Sequence, residues 1–331
     1  MSRLVPRSGP RLRARTGWLV LVTVLATMGA AKGAAAQTPD PLATVLPTIA
    51  ASEPITPIPP PPAADPRKVA LGKELFDDPH LSRNNKRACL SCHDTSTNGA
   101  TDNKFDKAFD GSPLPFHTTT VFNAALDFRL GWEGRHRTLE EQAEASLDDP
   151  ATMGTSIAQV LTKLRADPEM VRQFRAAYGR APDRANLLNA IATYERSLLT
   201  PGSRFDRWLE GDESALSSEE LHGYHLFKSL GCVSCHQGVN VGGNLFERHG
   251  IFHPLASTKP ELVVVPSLRN VAVMAPYFQD GSAATLSDAV RKMAHAQLDR
   301  TLTDQQIKAI VAFLKTLTGN YNGAPLVAPS P

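Results

Sequence analysis

The chain contains four cysteines, and all four lie in two copies of one motif, Cys89-x-x-Cys92-His93 and Cys232-x-x-Cys235-His236. This spacing lets two thiols bond the two vinyl carbons of a single haem, with the following His aimed at the iron as axial ligand. A lone C-x-x-C could equally be a redox dithiol or half of a zinc site. Two copies that each run directly into His, and together use every Cys of the chain, fit two covalently attached haems c. His93 and His236 are then the proximal ligands. None of the cysteines remains for a disulfide.

The sixth ligands decide what such irons do. Two strong protein ligands make an electron carrier, whereas an open position admits peroxide or oxygen. For the second haem the leading candidate is Met293, in Leu286-Ser-Asp-Ala-Val-Arg-Lys-Met293. A thioether there raises the reduction potential and makes a good electron store. Met274 competes with it, His295 is close by, and a Met can also be plain core filler. For the first haem His117 is a candidate, against the plainer reading of an ordinary hydrogen-bonded histidine.

The elements that must position these groups read as almost entirely helical. Asp65 is an N-cap candidate ahead of Pro66 and the apolar positions Val69, Ala70, Leu75 and Phe76. Thr138-Leu-Glu-Glu141, Ser217-Ser-Glu-Glu220 and Thr303-Asp-Gln-Gln306 are capping boxes. The last opens a helix with Ile307, Ile310, Val311, Leu314 and Leu317 on one face. A long helix is predicted over Pro182 to Leu198, with Leu187, Leu188, Ile191, Tyr194 and Leu198 inward, and only Leu262 to Val265 reads as strand. The expected fold class is mainly α, with two cytochrome c-like haem domains and little strand. A weak internal repeat supports two related units: Gly72-x-x-Leu75-Phe76 precedes the first haem motif and Gly223-x-x-Leu226-Phe227 the second, with extra loop from Asp77 to Arg87 in the first copy.

The ends of the chain read differently. Residues 1–36 combine five Arg, a short apolar run from Trp18 to Met28 and the small residues Ala34-Ala-Ala36, the pattern of a cleaved secretory signal. The apolar run is shorter than the roughly 20 residues a membrane span requires, so an exported, periplasmic, soluble product is expected. Residues 37–64 are Pro-rich and read as a spacer. Haem domains are then expected over 65–204 and 205–320, and a tail over 321–331. Losing the leader removes six basic residues and no acid, so the 35 basic residues fall to 29 against 33 acidic ones and the net charge moves from +2 to −4. Nothing in that balance points to nucleic acid, and a mildly acidic surface suits a small basic redox partner.

Six runs in order, Thr120-Val-Phe-Asn123-Ala-Ala, Trp132-Glu-Gly-Arg135, Leu139-Glu-x-Gln142-Ala, Gly231-Cys-x-x-Cys-His236, Val265-Pro-Ser-Leu-Arg-Asn270-Val and Pro276-Tyr-Phe-x-Asp-Gly281, resemble the bacterial di-haem cytochrome c peroxidase family, which also contains MauG. The resemblance extends over about Asp65 to Gly319. It implies that the haem on His93 is the peroxidatic one and the haem on His236, with Met293 matching the axial Met, stores an electron. It implies further that Trp132 is the Trp between the haems, an electron relay whose plainer reading is core packing, and that Gln142 lies in the distal pocket. The resemblance also brings hydrogen peroxide as substrate, a cytochrome c or blue-copper protein as electron donor, a calcium ion between the haems, and a homodimer.

Several positions depart from the family pattern. The catalytic distal Glu falls on Thr152, and a hydroxyl is a poor base for moving a proton between the two oxygens of a peroxide. Asp148 and Asp149 could substitute only if the loop is shifted. The calcium-binding Asn falls on His117, which argues against calcium, and the usual His of the Tyr-Phe-His-Asp-Gly motif is Gln279. No His stands in Phe109-Asp-Gly111, where the resting peroxidases carry a distal ligand, so the peroxidatic haem is expected five-coordinate without reductive activation. Three functions stay open at this point. They are a peroxidase, a MauG-like protein-modifying oxidase (whose members tend to carry Tyr where Met293 stands), and a non-enzymatic di-haem electron carrier.

Overall fold

The computed structural model describes residues 52–255 and 259–329; the predicted signal and most of the spacer lie outside them. The chain is mainly helical. Helices α1 (Pro66–Asp77), α2 (Leu139–Asp148), α3 (Ile157–Ala166), α4 (Pro168–Tyr178) and α5 (Arg184–Ser197) surround the first haem motif. Helices α6 (Arg204–Leu209), α7 (Ser218–Ser229), α8 (Leu286–Leu298) and α9 (Asp304–Lys315) surround the second. The caps follow the sequence. The Asp65 carboxylate accepts the Arg67 N–H, and Ser217/Glu220 and Thr303/Gln306 form reciprocal boxes. At α2 the Thr138 hydroxyl caps the Glu141 N–H as expected, but the Glu141 carboxylate reaches the N–H of Arg137 instead of Thr138. The predicted strand forms as β2 (Leu262–Val264), paired antiparallel with β1 (Phe246–Arg248). A second pair, β3 (Asn320–Tyr321) with β4 (Ala324–Pro325), was not visible in the sequence pattern.

The glycine repeat marks two matching helix crossings. A Cβ on Gly72 of α1 would lie 2.0 Å from the carbonyl oxygen of Ala190 in α5, and one on Gly223 of α7 would lie 1.9 Å from that of Ala309 in α9. Only a hydrogen fits at either contact. The close approach stacks the aromatic residues one turn on. Phe76 meets Tyr194 edge-to-face at 5.4 Å and Phe227 meets Phe313 at 5.2 Å. The same two phenylalanines lie 6.5 Å and 6.4 Å from the rings of His93 and His236.

The duplication runs much further than those motifs. At one constant numbering offset, Asn123 and Asn270 both adopt left-handed backbone and start a 3-10 turn. The isolated bridges Leu130–His136 and Tyr277–Ala283 match, and Thr138 and Thr285 cap α2 and α8. The two copies meet at Thr200. Its hydroxyl receives amide hydrogens from Asn123 (2.8 Å) and Asn270 (3.0 Å), and its N–H donates to the Asn123 side chain (2.9 Å). All three residues are buried, so each polar atom left unpaired would cost about 1–3 kcal/mol.

Two segments depart from their assigned roles. Residues 53–58 do not act as a free spacer. Ile55 packs in the C-terminal core beside Phe205 and Tyr224, Glu53 accepts from the Tyr224 hydroxyl (2.5 Å) and pairs with Lys228 (2.8 Å), and the Thr56 carbonyl accepts from Arg269 (2.8 Å). The Pro-rich composition hid these few anchoring residues. The expected tail is likewise anchored, since Leu326 and Tyr321 join Phe76, Val121 and Phe122 in an N-terminal cluster. The C-terminal end of the chain therefore covers the first unit. No helix among the described residues is long and apolar enough to cross a membrane.

Gly223→Ala should lower stability even though Ala is about 1 kcal/mol better than Gly inside a helix. Overpacking against a backbone carbonyl costs roughly 1–3 kcal/mol. Thermal unfolding of the haem-loaded variant should show a midpoint several degrees below that of the native chain; an unchanged midpoint would mean that the helices part freely at this crossing.

Candidate functional site

Both haem motifs sit in short 3-10 turns, Cys89–Ser91 and Cys232–Ser234. The turns bring each His under its two thiols. His93 Nδ1 lies 3.3 Å from the carbonyl of Gly99, and His236 Nδ1 lies 3.2 Å from that of Val241. A carbonyl only accepts, so Nδ1 carries the proton and Nε2 is left with its lone pair for an iron. Burial favours the neutral imidazole in both. It depresses the pKa of His93 and brings His236 down to about 4. Burial also pushes the thiols up, Cys89 to about 12 and Cys92 and Cys232 to about 11. Without a bound group such thiols stay protonated. They fit thioether attachment of haem.

The two motifs open into one continuous cavity of about 460 Å3, mostly apolar, whose walls include all six motif residues. Its apolar lining suits flat apolar groups, and it gathers most of the site residues singled out in the sequence. Gln142, Thr152, Trp132 and Met293 all line it. Met274 lines it too, so the cavity does not choose between the two methionines. His295 does not. Its ring is stacked on His253 at 3.9 Å on the outer side of α8.

Superposing the repeat in sequence exposes an asymmetry. Met293 is the eighth residue of α8, and the eighth residue of α2 is Ser146. Where the second unit offers a thioether, the first offers a hydroxyl that accepts a hydrogen from the Gln142 amide at 3.2 Å. Reading Ser146 from sequence would have required extending the repeat beyond the glycine motifs.

The distal loop of the first unit follows α2. The Thr152 hydroxyl donates to the Ser146 carbonyl at 2.8 Å, so its proton is already committed. Asp148 and Asp149 are exposed and absent from the cavity wall, and the loop shift that would let them replace the distal Glu does not occur. Arg87, which sequence reasoning passed over, fastens the loop. Its guanidinium donates to the carbonyls of Ala151 (3.0 Å), Thr152 (3.1 Å) and Lys107 (2.8 Å), and it packs 4.2 Å from the ring centre of Phe109. The segment Phe109–Gly111 is thus held under Arg87. Two buried carboxyls on the wall also escaped the sequence reading: burial raises Asp127 to about 7 and Glu195 to about 8.

Trp132 lies between the units. Its indole N–H donates to the His117 carbonyl at 2.8 Å, and its own carbonyl accepts from Val264 of β2 at 2.9 Å. His117 in turn donates its backbone N–H to the carbonyl of Gln279 at 2.7 Å, and its Nδ1 lies 3.0 Å from the carbonyl of Asn103. Trp132 and Gln279 are equivalent in the repeat, so His117 clasps one copy to the other.

Comparison with known proteins agrees with this geometry. Residues 66–214 match the family model for di-haem cytochrome c peroxidase, and residues 221–318 match the model for cytochrome c. The chain is 38% identical over 302 residues to cytochrome c551 peroxidase of Nitrosomonas europaea, covering 85% of this chain and 90% of that protein. It is 37% identical over 288 residues to cytochrome c peroxidase Ccp of Escherichia coli, covering 82% of this chain but 62% of that longer protein. Among solved structures, a MauG-like protein associated with microbial copper homeostasis matches at 27% identity with a TM-score of 0.68, over 79% of this chain and 93% of that one. Two haem motifs sharing one cavity, on a duplicated helical scaffold with these relatives, make the chain a member of the di-haem cytochrome c peroxidase family.

Proposed function

We propose that this chain is a periplasmic peroxidase that reduces hydrogen peroxide to water at the site of Cys89, Cys92 and His93. Electrons enter from a small external redox protein, a cytochrome c or a blue-copper protein, and are held at the site of Cys232, Cys235 and His236. The carrying observation is the asymmetry of the shared cavity: α8 presents Met293 where α2 presents Ser146. When bound, each haem supplies a redox-active iron, and the first supplies the position at which peroxide is cleaved.

The protein's own groups divide the work. His93 and His236 offer Nε2 lone pairs fixed by their Nδ1 partners. Met293 would hold the iron of a haem bound at the second site, with Met274 the competitor. Ser146 would be a weak ligand, so a haem held at the first site would keep a position for peroxide without a preceding reduction. Gln142 and Ser146 can hydrogen-bond an entering oxygen species on the distal side. Trp132, on the cavity wall and bonded to both units, is the side chain that shortens the electron path between them. Calcium has no place at His117 in this reading, since a hard cation prefers oxygen ligands and this imidazole is engaged by Asn103. The mildly acidic mature chain favours a basic donor, and a dimer remains an expectation from the family.

The weakness of the site is proton transfer. Thr152 has committed its proton to the Ser146 carbonyl, and a positioned general acid–base group is worth roughly 100- to 10,000-fold in rate. Thr152→Glu should therefore raise the peroxidase kcat/KM at least tenfold; no gain in a variant with an intact haem spectrum would remove Thr152 from the account. Met293→Ala should convert the low-spin signal of the second haem to high spin, while Met274→Ala leaves it unchanged, as read by EPR. The oxidised native protein should show one high-spin and one low-spin haem, with the high-spin signal lost on adding peroxide. Two low-spin haems indifferent to peroxide in both redox states would leave an electron carrier instead.

A further inference from the structure

On the outer side of α8, away from the haem cavity, three metal-binding side chains converge. One ring nitrogen each of His253 and His295 and a carboxylate oxygen of Asp299 lie within 4.8 Å of one another. The imidazoles are nearly parallel, 9° apart in plane with centroids 3.9 Å apart, and His253 Nε2 lies 2.8 Å from Asp299 Oδ1. His295 and Asp299 are exposed and His253 is half-buried, so a cation can reach all three from solvent. None of the three lines the haem cavity.

The cluster is built from two pieces of chain that are separately fastened together. The backbone N–H groups of Phe252 and His253 donate to the Ala296 carbonyl at 2.9 and 3.3 Å, and that of Ile251 donates to Gln297 Oε1 at 3.1 Å. Gln297 Nε2 then donates to the Arg248 carbonyl at 2.8 Å. Asp299 ends α8 in left-handed backbone (φ 49°) with its N–H returned to the Ala294 carbonyl. The loop and the helix end are therefore fastened to each other before any ion arrives, and the ordering left for binding is that of the three side chains.

The donor set narrows the ion. Two imidazoles and one carboxylate suit borderline divalent transition metals such as Zn2+, and are poorly matched to Ca2+ or Mg2+, which want oxygen. Bonds of about 2.0–2.1 Å in a tetrahedron require ligand atoms about 3.3 Å apart. In the stacked pair the in-plane lone pairs run parallel, so one imidazole must turn out of the stack for both rings to face one ion, and the exposure of His295 leaves it room to do so.

We propose that His253, His295 and Asp299 bind one divalent transition-metal ion, with water in the remaining position. The ion would tie the 248–253 loop to the C-terminal turn of α8, two residues beyond Met293. Because α8 also lines the haem cavity through Met293, Ala294 and Gln297, the site stiffens the helix that carries the assigned sixth ligand.

The test is calorimetric titration of ZnCl2 into the di-haem protein after chelator treatment, for the native chain and for His253→Ala and His295→Ala. One Zn2+ per chain is expected in the native protein, weakened at least about tenfold in either variant, since even outer-shell losses cost 10–100-fold. Haem content and visible spectra should be the same in all three. The proposal is overturned if the native protein shows no saturable binding, or if both variants keep its stoichiometry and affinity. It is also overturned if His295→Ala changes the spin state of the second haem while His253→Ala does not, because that imidazole would then serve the iron.

Discussion

The contact between α1 and α5 at Gly72, repeated between α7 and α9 at Gly223, constrains everything placed above it. Each helix pair approaches until a backbone carbonyl sits where a Cβ would be. That distance brings Phe76 against Tyr194 and Phe227 against Phe313, and it places each phenylalanine ring beside a proximal histidine. The aromatic wall excludes water from the imidazole, which stays neutral, and a backbone carbonyl on Nδ1 then decides which nitrogen is free. Helix packing is thus converted into the protonation state and orientation of each motif's imidazole.

A duplicated scaffold would by itself give two similar haem sites. Function requires them to differ, and besides the loops and helices found only in the first unit, a few equivalent positions carry the difference. Ser146 replaces a thioether, and Trp132 stands where the other copy has Gln279. Both changes leave the helices and bridges unaltered, because α2 and α8 keep the same Thr cap and the same inward-facing leucine. The Asn123–Thr200–Asn270 node holds the copies together at a point where neither asymmetry intrudes. His117 joins them a second time through backbone bonds that ask nothing of its ring.

The shared cavity also shows how burial governs charge in this molecule. Thiols and imidazoles in the wall are neutral because a charged form would be desolvated, and the same effect holds the Asp127 and Glu195 carboxyls near the neutral range. The deeply buried ion pair of Arg269 with Asp206 at 2.7 Å is instead saturated with partners: Arg269 also donates to Val239 and Thr56, and Asp206 receives the N–H of Ser203. Such a pair is costly to break from one side, and here it fixes the 53–58 segment onto the second unit.

Much of this was legible in the residues alone. Two C-x-x-C-H motifs name their own cofactor, because covalent attachment and axial ligation need only local spacing. The apolar stripes and most of the helix caps also read correctly, since both are set by residues within one turn; at Thr138 only half of the expected box forms. The glycine repeat disclosed that there are two units but not why glycine is required, since Ala190 and Ala309 lie far away in sequence. Tertiary structure alone decided that both motifs share a cavity, that Trp132 lies in its wall, and that His295 turns outward to His253. It also decided that the Thr152 hydroxyl is already engaged, and that residues 53–58 and 321–326 are packed and not free. Each of these depends on contacts between distant segments, where one intervening backbone carbonyl or aromatic ring determines the outcome and no local pattern records it.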